Sequence, residues 1–411
     1  MDDRFYLTPP RPRDLTAAEE LPLLRHAVQK SAADLGYTLR LARLLSALHR
    51  DGDVIELLAS ARFGREDEHE VQMLMGLSLL GRNLVGDANE ARSILSRAVD
   101  SAPDSVTRAC AYSELGKALV ELRQFGPARR AFIAALADDP HTQYGISRLA
   151  ALDLREQREG RLFELTEALV HREVLHSGVL AARYLALTAL SEPKAAEEFA
   201  ELESSLWRGV LPVPQGWQSL ASFNAALADE LLRHPGKKRP RAGSDSGARW
   251  RIDDLLLRRS QGVASLLNLL KQQIESQVAA IADRGCLWLR ACPGKAGLHP
   301  WGMITHADAF DAWHMHVRGW LSGVYYVQVP DAAENGSGME GSIQFGCPQI
   351  AGIDRTLTGP RLGIHPTAGQ LLLFPSHFFH RTHATGSSRE RISVAFDVTH
   401  NRLAANARSY G

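Results

Sequence analysis

Apolar positions divide the chain into two textures. From about residue 18 to 232 they recur with a helical period, as in LRLARLLSALHR and LFELTEALVHREVL, and β-branched runs are scarce. From Cys286 onward short aromatic and β-branched runs alternate with Gly, Pro and Asn turns: LWLRA, WGMITHA, SGVYYVQV, GSIQFG, RLGIHP, QLLLFPS and RISVAFDVT. Each of these predicts a strand, and their spacing predicts an antiparallel barrel or sandwich, long enough for a double-stranded β-helix. Between the two textures HPGKKRPRAGSDSGARW, residues 234–250, breaks the helical period with Pro, Gly, Ser and basic residues and reads as an exposed linker. An amphipathic stretch up to Gly285 follows and predicts one or two helices leading into the strands. The expected organisation is a multidomain α plus β chain. An N-terminal extension covers 1–17, helical repeats 18–233, a linker 234–249, and a strand-rich domain with its leading helix 250–411.

Within the helical half one unit is clear. In AYSELGKALVELRQFGPARRAFIAALADDP, residues 111–140, Tyr112, Leu115, Gly116 and Leu119 fall on a first helix, Ala128, Phe132 and Ala135 on a second, and Pro140 closes the unit. Gly116 and Ala128 are small where two helices would cross closely, Phe132 would fill the space between them, and Pro140 would stop the second helix. A weaker copy places Gly76, Ala91, Leu95, Ala98 and Pro103 in the equivalent positions, with about three extra residues in the turn around Val85-Gly86-Asp87. The pattern resembles the tetratricopeptide repeat, which implies an α-solenoid of tetratricopeptide-like helix pairs. Such a solenoid offers a concave surface for a protein or peptide partner. The plainer alternative is a scaffold or dimerisation arm.

Composition narrows the classes. The chain has 411 residues, 45% hydrophobic and 23% charged, with 47 Lys+Arg against 47 Asp+Glu. A zero net charge argues against a general nucleic-acid binder, and KKRPR reads as a solvated loop. Cys110, Cys286, Cys292 and Cys347 show no C-x-x-C spacing and read as reduced thiols. The charged, Pro-rich start MDDRFYLTPPRPRD has no apolar core of a signal peptide and no run reaches membrane-spanning length, so a cytoplasmic, membrane-free protein is expected.

Chemistry concentrates in the second half. His314 and His316 stand one residue apart just ahead of SGVYYVQV, and on an extended backbone residues i and i+2 share a face. Two neutral imidazoles on one face can hold a metal ion if a third ligand arrives. The candidate is His380, in FPSHFFHRT, with His377 and His383 read as loop or supporting residues. Eleven residues later Arg391 and Ser393 share a face by the same rule and offer a guanidinium and a hydroxyl, a receptor for a carboxylate. A second arrangement stays open: His306-Ala307-Asp308 is a literal H-x-D pair, with Asp311 near it.

The order HMH, WLSGVYYVQVP, GQLLLFPSHFFHRT, RISVAFDV, over roughly residues 286–400, resembles the 2-oxoglutarate/iron(II) oxygenases of the H-x-H, SGVYYV, FPS-x-x-x-H type. The resemblance implies a double-stranded β-helix (jelly-roll) fold and the cofactors Fe(II) and 2-oxoglutarate. It assigns His314, His316 and His380 to the metal, Arg391 with Ser393 to the far carboxylate of 2-oxoglutarate, and Tyr326 to the co-substrate as well. In the wider superfamily the second ligand is a carboxylate, and here His316 stands in its place. A two-imidazole site with His316 unbound is the further alternative. The activity implied is hydroxylation of a protein or peptide side chain presented by the repeats. Its rivals are a small-metabolite hydroxylase and a non-enzymatic adaptor with a cupin-like barrel.

Overall fold

The computed structural model describes residues 5–31, 34–239, 249–257, 260–334, 338–350 and 357–400. Two compact units emerge. One takes Leu15–Arg158 and Ala168–Val174. The other takes the described residues up to Asp14, Glu159–Glu167 and the chain from Leu175 onward.

The first unit is an α-solenoid of helix pairs, and its clearest repeat lies where the spacing predicted it. Helix Ser105–Glu121 starts at Asp104, whose carboxylate accepts from the Thr107 backbone N–H at 2.8 Å, satisfying one donor that the helix start leaves open. Its partner Phe125–Asp138 buries Ala128, Phe132 and Ala135 completely. The crossing is so close that a Cβ on Gly116 would sit 2.3 Å from the Phe132 ring. Burying that ring contributes about 1.5–3 kcal/mol, available only because position 116 carries no side chain. The weaker copy repeats the device: Gly76 on helix Glu68–Arg82 faces Leu95 on Asp87–Asp100, and a Cβ there would lie 2.6 Å from the leucine. The longer turn between them passes through Asn83 (φ 54°) and Gly86 (φ 94°), left-handed positions suited to Asn and Gly.

The second unit is a double-stranded β-helix. Its strands are β1 (Tyr6–Thr8), β2 (Trp207–Val210), β3 (Lys237–Lys238), β4 (Arg249–Ile252), β5 (Lys295–Thr305), β6 (Leu321–Gln328), β7 (Ile343–Gly346), β8 (Arg361–Ile364), β9 (Gln370–Pro375), β10 (His380–Thr382) and β11 (Arg391–His400). The larger sheet runs β2-β9-β6-β11-β5-β4-β3 with β1 added in parallel to β5, and the smaller runs β10-β7-β8. The core between them joins Tyr326, Leu372 and Phe374 of the large sheet to Ile343, Phe345 and Ile364 of the small one. Along β11 the alternation is strict. Ile392, Val394, Phe396 and Val398 point to one side and are wholly buried, while Arg391, Ser393, Ala395 and Asp397 share the other.

Several expectations change. LWLRA forms a short helix, Leu287–Arg290, rather than a strand, and buries Trp288 against Trp320 with ring centroids 5.0 Å apart. The division between units differs from the boundary expected at 233. Helix Ser177–Ala189 is buried on nearly every side, its Tyr184 joins the core of the sheets, and β2 pairs with β9. The N-terminal extension contributes β1, with Leu7 fully buried. The stretch expected as a linker holds β3, whose Lys237 and Lys238 pair with β4, and residues 240–248 lie outside the described residues. Among the described residues no helix is long and apolar enough to cross a membrane.

Candidate metal centre

The segment between β5 and β6 brings the first two histidines to the third. His314 and His380 exchange both backbone hydrogen bonds at 2.9 Å, forming an isolated antiparallel bridge, and the His316 N–H donates to the Ser376 carbonyl at 2.9 Å. The pair therefore sits on an extended, bridged segment ahead of β6 rather than on a strand. The outcome for the side chains matches the two-residue rule. Ring centroids lie 4.3 Å apart for His314 and His380, 5.1 Å for His316 and His380, and 5.4 Å for His314 and His316. One potential ligand atom from each falls within 4.8 Å of the others.

The hydrogen bonds fix the tautomers. Nδ1 of His314 lies 2.8 Å from the Ala312 carbonyl and Nδ1 of His380 lies 3.0 Å from the Phe378 carbonyl. A carbonyl oxygen only accepts, so both Nδ1 atoms carry the proton and Nε2 keeps the lone pair that a metal needs. Nδ1 of His316 meets the Asp397 carboxylate at 2.5 Å. Burial, followed by the neighbouring His314 and His316 rings, holds His380 well below the ordinary imidazole range, so it is neutral as a ligand must be. Phe374 and Phe345 wall the site, 4.9 and 5.6 Å from the His380 ring. Three imidazoles, each held through its Nδ1, suit a first-row transition metal such as iron.

β11 and β6 carry a second polar group. Arg391 is 4% exposed and its Nη1 donates to the Gly341 carbonyl at 3.0 Å; among the described residues no carboxylate pairs with it. Gly341 (φ 66°) is needed there, since a Cβ would lie 2.2 Å from that of Ala333. Ser393, two residues on and buried, lies opposite Tyr326 across the strand pair. Burial pushes the Tyr326 phenol up to about 12 despite the nearby Arg391 charge, so it remains an O–H donor. Arg391, Ser393 and Tyr326 thus form one polar group, apt for an anion with hydrogen-bond acceptors.

The other candidates are not part of this cluster. Among the described residues the group able to hold a metal contains neither His306 nor Asp308. Asp311 is ion-paired with Arg249 and accepts from the Thr382 hydroxyl at 3.2 Å. His377 is buried outside the trio, its imidazole pushed down to about 3 by burial alone.

Sequence reasoning missed Asp397, Ser322, Ser376 and Trp301. Asp397 lies on the face of Arg391 and Ser393, so the same alternation extended two steps would have found it. Burial pushes its carboxyl up, but the charge and hydrogen bond of His316 and the bond from Ser322 outweigh this and hold it below the usual carboxylate range. Ser322 donates to Asp397 at 2.7 Å and lies 2.7 Å from the Ser376 hydroxyl. The Trp301 ring lies tilted against His316, centroids 5.7 Å apart, under the Arg251 guanidinium at 4.5 Å.

Residues 299–397 match the family model described as "Putative 2OG-Fe(II) oxygenase". No curated protein matches the chain. Among solved structures, a Pseudomonas putida prolyl-4-hydroxylase is similar over 50% of this chain and 98% of its own, at 17% identity and a TM-score of 0.34. A prolyl hydroxylase from Trichoplax adhaerens, in complex with a hypoxia inducible factor oxygen degradation domain peptide fragment, covers 52% of this chain and 94% of its own, at 10% identity and a TM-score of 0.35. MamA from AMB-1 covers 41% of this chain and 96% of its own, at 15% identity and a TM-score of 0.31.

Proposed function

From the premise that this chain is a 2-oxoglutarate- and Fe(II)-dependent oxygenase, with its matched segment at 299–397, we propose that it hydroxylates a protein or peptide side chain captured by its helical repeats. His314, His316 and His380 would hold Fe(II). Arg391, with Ser393 and the Tyr326 phenol, would take the far carboxylate of 2-oxoglutarate. The observation that carries this reading is the pairing of an oriented three-imidazole cluster with a buried guanidinium that lacks a carboxylate partner among the described residues.

With its co-substrate, the bound iron would supply O₂ activation coupled to loss of CO₂ from 2-oxoglutarate, giving succinate and an oxidised C–H bond. The protein's own work is positioning. Arg391 fixes one end of the co-substrate through a guanidinium fork that a lysine would not reproduce. Phe345 and Phe374 keep water from one side of the imidazoles, which strengthens every charge interaction inside the site. Trp301, partly exposed beside His316, offers the substrate a flat apolar surface next to the metal. The repeats support a polymeric substrate, because paired helices of this kind present an extended surface rather than a small pocket.

The test uses the full-length protein with Fe(II), ascorbate and 2-oxoglutarate, reading succinate. Lysate-derived peptides should raise turnover above the substrate-free rate, and His380→Ala should abolish it. Stimulation by small molecules alone would overturn the protein-substrate reading. Absence of succinate under all conditions would reduce the chain to an adaptor.

A further inference from the structure

Three imidazole ligands bring no negative charge to a divalent metal inside an aromatic-walled site, where uncompensated charge is expensive. The hydrogen bonds to the three rings are unequal. His314 and His380 each turn Nδ1 to a neutral carbonyl two residues back in their own segment. His316 turns Nδ1 to a carboxylate 81 residues away, Asp397 on β11. That carboxylate is 16% exposed, and a second hydrogen bond, from Ser322 at 2.7 Å, falls on the same oxygen. The Ser322 hydroxyl is in turn 2.7 Å from that of Ser376, whose carbonyl anchors the His316 backbone. The chain closes tightly over this group. A Cβ on Gly319 would lie 2.3 Å from Ser376 Oγ and 3.2 Å from the Asp397 oxygen, so only glycine passes there unhindered.

We propose that Asp397 is a positioning residue for the metal. Acting through His316, it supplies from one imidazole further out the negative charge that a carboxylate ligand at position 316 would have supplied directly. The inference rests on the metal-site reading above. A carboxylate accepting from the far nitrogen of a ligating histidine fixes its tautomer and raises its basicity. The Asp397 carboxylate therefore makes His316 a stronger donor than the same ring turned to a neutral carbonyl would be. The carboxylate also favours the more highly charged state of a bound iron. A merely structural Asp397 would affect folding and nothing else.

Co(II) titration of the full-length protein, followed by visible absorption, separates the two. Asp397→Asn keeps the shape and removes the charge. It should weaken Co(II) about 10–100-fold, the range for such outer partners, shift the Co(II) absorption bands and raise the potential of the Fe(III)/Fe(II) couple. Wild-type affinity, spectrum and potential in a folded Asp397→Asn protein would overturn the inference. Should that variant fail to fold, Ser322→Ala removes one of the two bonds on the same oxygen and should weaken Co(II) several-fold, with unchanged affinity again overturning it. A wild-type protein that takes up no Co(II) would remove the ligand reading itself and this inference with it.

Discussion

Arg391→Met carries an unusual pair of expectations, because the wild-type guanidinium is 4% exposed and, among the described residues, donates to a backbone carbonyl and meets no carboxylate. A buried cation without an anionic partner weakens the fold, so methionine should leave the protein free of co-substrate at least as stable. The loss appears on adding 2-oxoglutarate. With Ni(II) as a redox-inert stand-in and co-substrate at about 100 times its dissociation constant, linkage stabilises the wild type by about 2.7 kcal/mol. For a unit of this size that is a rise in Tm of about 5–10 °C. Removing a charge-assisted hydrogen-bond pair costs about 1.5–3 kcal/mol of binding, which leaves the variant a gain of about 0.3–1.3 kcal/mol at the same concentration. The assay is clean because all seven tryptophans of the chain lie in the unit that carries the sheets, so their fluorescence reports that unit's unfolding alone. A full wild-type shift in Arg391→Met, or a co-substrate-free variant markedly less stable than the parent, would refute the carboxylate role.

Three further expectations follow from the packing and charges. Gly116→Ala gains about 1 kcal/mol in helix propensity, but forces a Cβ 2.3 Å from the fully buried Phe132 ring and should lose about 1–2 kcal/mol net, read by far-UV circular dichroism with the tryptophan transition unmoved. Gly52→Ala, on helix Asp51–Ala59 with nothing near its Cβ, should instead gain about 0.5 kcal/mol by the same measurement. His377 should make stability pH-dependent: its folded pKa of about 3 lies below the unfolded 6.5, so a penalty appears as pH falls through 6.5 and grows down to about 3. At about pH 5.5 the penalty is roughly 1.4 kcal/mol, and it should vanish in His377→Asn when urea midpoints are compared across pH.

The sequence was most legible where side-chain period and chemistry coincided. SGVYYVQV, QLLLFPS and RISVAFDVT alternate or run apolar between turns, and they form β6, β9 and β11. The three histidines were legible because spacing constrains faces even on a bridged segment outside a strand. LWLRA misled because four large residues carry too few positions to tell a single turn of helix from a short strand. The helices from Ser177 read as more solenoid for a different reason. Ser177–Ala189 is apolar all round, and period alone does not reveal whether helices or a sheet will cover it. The charged, Pro-rich start hid the strand Tyr6–Thr8, whose pairing depends on residues remote in the chain. Asp397 was within reach of the alternation argument and went unused because an acidic residue late in a strand reads first as a solvent-facing position.

Strand β1 has a consequence for assembly. Its pairing of Tyr6 with Lys295 closes a loop through the whole solenoid, so the unit that carries the sheets is sequence-discontinuous and can recruit its first strand only once the distant β5 has been made. Contacts of such long range form slowly because loop-closure entropy opposes them before any contact offsets it. The helical unit, built from neighbours, can mature first. The repeats then occupy the topological place of an insertion cassette, entered and left from the same fold. Their number or surface can change while the reading frame of strands around the imidazoles stays as it is.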